Sequence, residues 1–314
     1  MSPSKISSAR AELDQLVRRQ RSKLTAQLVN RCGYHLLPLI EDAIQDAIVK
    51  ALEKWEYDGL PDNAPAWLYR VAYNRANDLL RRSAPEIDYE VAFNSRLSND
   101  QLEADEIDAE LKLLLYCCHP ELTPIEQQIL MLNLVIGLDY TELANLTLTT
   151  KQAIAQRLAR LKRKTRSSNQ FRSGQRLEWH GESIGSLIAA IYTAFNLGYF
   201  PRLGESLIRR DVAFEALRLG QVISNQYSAS DQQGRLLALV ALMSFQCSRL
   251  SARGNSLDEP LLLQDQNPNH WDPHLIQQGH QMLILAKQSN GISEFHVEAA
   301  IAAIHSSKNA DTNW

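Results

Sequence analysis

The residues of this chain best suited to chemistry are cations. "KQAIAQRLARLKRKTR", Lys151 to Arg166, carries seven Lys or Arg and no Asp or Glu, within 314 residues whose formal net charge is -3. Such a cluster does no covalent work; it holds polyanions, above all phosphate backbones. Thr149 with Gln152 reads as a capping box opening a helix that runs to about Thr165. On that helix Ile154, Leu158 and Leu161 share one face, which must point into the protein. The other face presents Gln152, Gln156, Arg160 and Arg163, flanked by Lys151, Arg157, Lys162 and Lys164. Glutamine can read an adenine edge and arginine a guanine edge, while the remaining cations hold phosphates.

The elements that must position this face lie just upstream. Thr123-Pro124 starts a helix carrying Ile129, Leu130, Leu132 and Val135, and Gly137 ends it. Asp139 and Glu142 form an acidic capping box for a short helix, Tyr140 to Asn145. Leu146-Thr147-Leu148 is the turn into the basic helix. Two capped helices, a three-residue turn and a basic second member make a helix-turn-helix pattern, and the expected ligand is DNA.

A second surface is expected on a helix from Pro65 to about Arg82. Leu68, Val71, Ala72 and Leu79 form its apolar stripe; Arg70, Tyr73, Asn74, Asn77 and Arg81 lie opposite. An aromatic ring among cations and amides can hold a phosphate backbone and stack an unpaired base. Trp67 borders the apolar side and is expected in the core. Before it, "EDAIQDAIVKALEKW" (41–55) spaces Ile44, Ala47, Ile48, Ala51, Leu52 and Trp55 as an amphipathic helix, and the turn-rich "DGLPDNAP" joins the two.

The bulk numbers agree with an all-α protein of several domains. Apolar content is 45% and charged content 22%, no apolar run reaches membrane-spanning length, and no signal-peptide pattern opens the chain. A cytoplasmic protein without membrane contact is expected. Cys32, Cys117, Cys118 and Cys247 read as buried thiols, and neither "CCHP" nor His270 with His274 makes a metal site: no second ligand cluster accompanies the first, and Pro273 interrupts the second. No metal, cofactor or catalytic constellation is expected, so the chain is not read as an enzyme. Residues 83–108 are acidic and weakly periodic, a linker; "SSNQFRSGQR" (167–176) marks a further boundary, and amphipathic helices fill 177–314.

The sequence resembles bacterial RNA polymerase sigma factors of the extracytoplasmic-function class, in the sigma-70 family. "EDAIQDAIVKALEKWEYDGLPDNAPAWLYRVAYNRANDLLRR" (Glu41 to Arg82) looks like region 2, and "LTPIEQQILMLNLVIGLDYTELANLTLTTKQAIAQRLARLKRKTR" (Leu122 to Arg166) looks like region 4, in the order of that family and without a region 3 between them. "DGLPDNAPAWL", "CCHPEL", "IAQRLARLKRK", "FNLGY", "LLLQDQNPNHWD" and "EAAIAAIHSSKNADTNW" are similar to the subgroup with a C-terminal helical, tetratricopeptide-like extension.

The resemblance implies four segments: region 2 in 1–82, the linker 83–108, region 4 in 109–168 and the extension in 177–314, truncated relative to members that continue past the position of Trp314. It implies core RNA polymerase and promoter DNA as partners. Gln45, Asp46, Lys50 and Glu53 would meet the polymerase clamp. Arg70, Tyr73, Asn74, Asn77 and Arg81 would capture the melted -10 element. Lys151, Gln152, Gln156, Arg157, Arg160 and Arg163 would read the -35 element. The extension would act in regulation, through the sigma regions, polymerase or a regulatory protein. Leu148 stands where sigma factors often have Gly, Thr150 replaces a frequent Pro, Lys151 a common acid, and Leu197 the usual Glu of "FNLGY". The alternative is a stand-alone helix-turn-helix regulator with a C-terminal sensor or interaction domain.

Overall fold

The computed structural model describes residues 20–83, 109–119, 121–167, 181–200, 209–227, 230–253, 261–289 and 291–306. These residues form helices and turns, with no β-strand among them. The helices are α1 (20–32), α2 (Leu37–Asp58), α3 (Ala64–Ser83), α4 (109–117), α5 (Pro124–Leu134), α6 (Tyr140–Leu146), α7 (Lys151–Ser167), α8 (Gly181–Tyr199), α9 (Arg210–Gln226), α10 (Ser230–Ser248), α11 (Pro273–Lys287) and α12 (Glu294–His305). The chain divides into two compact units, 1–178 and 179–314. The linker expected at 83–108 lies outside the described residues from 84 onward, as does nearly all of the boundary at 167–176.

In the first unit α2 begins four residues before the sequence pattern suggests. Pro38 sits in its first turn, where a missing N–H costs nothing, so Leu37 and Ile40 join the buried stripe of Ile44, Ala47, Ala51 and Trp55. That stripe packs on α3 through Leu68, Ala72, Ala76 and Leu80. Trp67 is half-buried and lies 5.4 Å from Trp55, ring centre to ring centre. Further on, the buried Gln127 side chain donates to the carbonyls of Cys118, His119 and Leu122, which ties the end of α4 to α5. Cys117 and Cys118 are buried, and burial pushes the Cys118 thiol up to about 12.

The second unit is organised around α10. Leu236 through Met243 are buried without interruption, so this helix is apolar all round and has neighbours on every side: α8, α9, α11 and α12. Close approach requires small residues. A Cβ at Gly198 would stand 2.4 Å from the backbone nitrogen of Ala213, and one at Gly279 2.7 Å from the Phe245 ring. Trp271 is buried at the turn into α11, where Asp272 caps the helix by accepting from the backbone N–H groups of His274 and Leu275. His270 lies in the 3-10 turn before that cap and His274 in α11 after it, both exposed.

These approaches make a paired prediction. Gly198→Ala forces backbone apart and lowers stability by about 1–3 kcal/mol. Gly185→Ala, in the same helix with nothing within 4 Å of its Cβ, raises stability by about 0.5–1 kcal/mol. Calorimetric unfolding of the two variants should therefore shift in opposite directions.

Candidate nucleic-acid interface

The basic helix is set by its neighbours in sequence. Asp139 caps α6, its Oδ1 accepting from the N–H groups of Thr141 and Glu142, while Glu142 accepts from the Asp139 N–H at 2.7 Å. The turn then closes with Thr147 N–H on the Leu143 carbonyl and Thr149 N–H on the Ala144 carbonyl. Thr150, not Thr149, caps α7: its Oγ1 accepts from Ala153 N–H at 3.1 Å, and Thr149 Oγ1 accepts from Thr150 N–H. The start therefore slips one residue from the expected capping box, because Thr149 is spent holding the turn.

Helix α7 separates its faces sharply. Ile154, Leu158 and Leu161 are buried; Lys151, Gln152, Gln156, Arg160 and Arg163 are exposed and Arg157 half-exposed. Two of the flanking cations already have partners within the chain. Lys162 is buried and reaches both carboxylate oxygens of Glu41 on α2 at 2.7 Å. Lys164 donates to the Glu121 carbonyl at 2.7 Å and stands 3.5 Å from Glu126. The expectation that Lys162 holds a phosphate is corrected on that ground, because its ammonium is buried against Glu41; Lys164 stays 45% exposed beside Glu126.

The second surface also acquires members. Arg70, Asn74 and Arg81 on α3 are exposed, with Tyr73 and Asn77 half-exposed between them. Tyr73 stacks on Tyr69 at 5.8 Å between ring centres, and the Arg31 guanidinium of α1 sits 5.1 Å from the Tyr73 ring. Burial raises the Tyr73 hydroxyl above its ordinary range, with Arg31 and Asn77 pulling it partly back. Sequence reasoning missed Tyr69 and Arg31. Tyr69 was legible as the i, i+4 partner of Tyr73; Arg31 comes from another helix and left no local signal.

On α2, Gln45, Lys50 and Glu53 are exposed beside Val49, which is 45% exposed. Asp46 differs: one of its oxygens takes the Arg75 Nε at 2.6 Å, a bond that ties α2 to α3. The Asp46 side chain nevertheless keeps 44% of its surface exposed, on the same helix as Gln45, Lys50 and Glu53. Among the described residues no group of three His, Cys, Asp or Glu side chains could hold a metal ion, and no helix is long and apolar enough to cross a membrane.

Residues 16–86 match the Sigma-70 region 2 family, and residues 184–287 match a family of unknown function, DUF6596. The chain is 28% identical to an uncharacterized protein of Rhizobium meliloti (strain 1021) over 289 residues, covering 88% of this chain and 67% of that protein. No solved structure matches the chain.

The turn between α6 and α7 has one strained member. Leu148 holds a φ of 52° and is 95% exposed, an unfavourable backbone region for a branched side chain that gains nothing from burial. Leu148→Gly is expected to stabilise the chain by about 0.5–1 kcal/mol, checked by urea unfolding. An unchanged or lowered midpoint would mean that Leu148 makes a compensating contact.

Proposed function

We propose that this chain, whose residues 16–86 match Sigma-70 region 2, is a sigma factor: it binds core RNA polymerase, captures the opened -10 element on α3 and reads the -35 element with α7. The observation that carries the reading is the coincidence of that match with the exposed Arg70, Asn74 and Arg81 around Tyr73 on α3. A stand-alone DNA-binding regulator has no use for such a region. The helix-turn-helix of α6 and α7 supports a second DNA contact, and the resemblance of Leu122 to Arg166 to region 4, with no region 3 before it, supports the extracytoplasmic-function class.

Each surface has a chemical task. Gln45, Lys50 and Glu53 with Val49 offer a mixed polar and apolar patch, suited to a polymerase contact that must later be released. Arg70, Arg81 and the Asn74 and Asn77 amides hold the backbone of a separated strand. The Tyr69–Tyr73–Arg31 stack supplies a preordered aromatic platform for an extruded base, offsetting an unstacking cost of a few kcal/mol. Lys151, Gln152, Gln156, Arg157, Arg160 and Arg163 face the -35 duplex, with Gln152, Gln156 and Arg160 on base edges and Lys151, Arg157 and Arg163 on phosphates. No covalent step is involved; the free energy of strand capture drives opening. The extension is proposed as a regulatory unit, its partner being a sigma region, polymerase or another protein.

In vitro transcription with purified core enzyme over a promoter library tests the assignment, and failure to bind core enzyme would return the chain to the class of ordinary regulators. Tyr73→Ala should slow open-complex formation by about 5- to 150-fold, the kinetic equivalent of losing about 1–3 kcal/mol of stacking. Arg160→Ala should relax preference at one position of the -35 element by a similar factor. Arg163→Ala should instead weaken all sequences alike and make the salt slope shallower by about 0.9. Initiation indifferent to these changes would discard the site map.

A further inference from the structure

In the second unit the described cations are matched by a carboxylate or left in water, with two exceptions. Arg209 pairs with Asp211, Arg218 with Glu215 and Arg235 with Glu294, while Arg210 and Lys287 are exposed. Arg249 and Arg253 flank the 3-10 turn Leu250–Ala252 that follows α10, and among the described residues neither forms an ion pair with a carboxylate. The end of α8 that Arg253 touches, Phe195 to Phe200, reads FNLGYF and contains no acid. Asp272 is brought to this corner by its N–H bond to the Ser248 carbonyl, one residue before Arg249. Its carboxylate, however, accepts from the N–H groups of His274 and Leu275 and caps α11.

Arg249 is the sharper case. It is only 7% exposed, and its Nε donates to nothing among the described residues. Burial is the main influence on its pKa and lowers it; Tyr199 beside it pulls the value back up, and the like charge of Arg253 lowers it further. A buried lysine could shed its proton under such pressure, but a guanidinium stays charged at any physiological pH. A buried charge is ordinarily paired, because an uncompensated one is strongly destabilising. Arg253 gives the place its shape. Its Cζ lies 3.9 Å from the Tyr199 ring centre and its Nη1 donates to the Tyr199 carbonyl at 2.7 Å, so the guanidinium is fixed at the end of α8 with further N–H donors to offer. Phe200, exposed and edge-on to Tyr199 at 5.1 Å between ring centres, borders the same place on the solvent side. Trp271, next to Asp272, is buried and its indole N–H also has no acceptor among the described residues. This corner of the unit is rich in N–H donors and aromatic surface and poor in negative charge.

We propose that Arg249 and Arg253 bind a small oxyanion, a carboxylate or phosphate group carried on a compact molecule, beside Tyr199. The planar arginine fork matches the paired oxygens of either group. The ligand is small because a side chain as buried as Arg249 is out of reach of another protein's folded surface. The site is independent of the sigma-factor reading and stands whether or not the chain binds polymerase. It gives the second unit a ligand of its own, unlike the polyanion expected on the exposed face of α7.

Calorimetric titration of the full chain with inorganic phosphate and, separately, with malonate, at constant ionic strength, tests the proposal. At least one of the two should bind saturably and raise the melting midpoint. Binding of phosphate alone assigns a phosphate ligand, of malonate alone a carboxylate, and of both a site open to either. Phosphate also stabilises proteins in general by exclusion from their surface, but that effect does not saturate. Arg253→Lys, which keeps the charge and loses the fork, should weaken binding by at least about tenfold. Arg249→Met should abolish it and, without anion, leave the melting midpoint unchanged or higher, since an unpaired buried cation gives way to an apolar side chain. A chain carrying Arg160→Ala and Arg163→Ala should bind as before, which separates this site from the basic face of α7. Failure of both anions to bind saturably, binding that either arginine variant leaves intact, or loss of binding in the α7 variant would each overturn the proposal. So would a lowered midpoint in Arg249→Met, because the protein itself would then already satisfy that charge.

Discussion

Helix α7 can keep Arg157, Arg160 and Arg163 in water only because Ile154, Leu158 and Leu161 are anchored beneath them, each 2% exposed or less. Fully burying three such side chains is worth roughly 5–8 kcal/mol before entropy is counted. That anchorage must also overcome repulsion among clustered cations, which salt screens only partly at these spacings. The geometry of the rest of the first unit serves the same end. Helix α6 and its capping box set the angle of entry, and Gln127 pins the segment that receives the far end of α7.

Charge in this half of the chain is sorted rather than simply accumulated. Lys162 and Arg163 are adjacent on the same short basic run, yet Lys162 is turned inward to Glu41 while Arg163 is left exposed. Lysine is the residue to expect in the internal role: its compact ammonium reaches both oxygens of Glu41 at equal distance. The planar arginine fork is kept for the outer face, where flat base edges and paired phosphate oxygens would reward it. On α3 the sorting is by pairing rather than by residue type: Arg75 is spent on Asp46, while Arg70 and Arg81 stay exposed.

How much of this was legible beforehand follows from how local each signal is. The all-α class, the apolar stripes of α2 and α7 and the Asp139–Glu142 cap are properties of residues three and four apart, so periodicity and spacing carry them, whereas on α3 the buried stripe runs through Leu68, Ala72, Ala76 and Leu80 and leaves Val71 and Leu79 half-buried. Helix starts were less secure. Two adjacent threonines, Thr149 and Thr150, are equally good caps on paper, and only the bond from Thr150 N–H to Thr149 Oγ1 decides between them. Likewise Pro38 was compatible with a helix that begins before it. The partners of Lys162 and Asp46, and the Arg31 that lies over Tyr73, were not legible at all. Glu41 lies 121 residues from Lys162, and a periodic pattern assigns a side chain to a face without saying what the face meets. A basic run therefore overstates the cations free to bind, by the number that tertiary packing has already paired.

The second unit handles its cations differently, and the difference bears on what each half can do. Arg209 pairs with Asp211, Arg218 with Glu215 and Arg235 with Glu294, while Arg253 lies 3.9 Å from the Tyr199 ring centre and donates to the Tyr199 carbonyl. Arg249 is buried, and burial lowers its pKa. Arg210 and Lys287 remain exposed, but they sit on different helices, not on one cationic face. Among the described residues, then, a face able to follow a phosphate backbone occurs only in the first unit. What the second unit shows to solvent on its last two helices is instead apolar: Ile284, Ile301 and Ile304 are all more than half exposed. Because α10 is already enclosed by its neighbours, these side chains add nothing to its core, and their exposure is a property of the outer surface alone. Polyanion binding and apolar surface are thus segregated along the chain, which lets selection alter one half without disturbing the charge pattern on which the other depends.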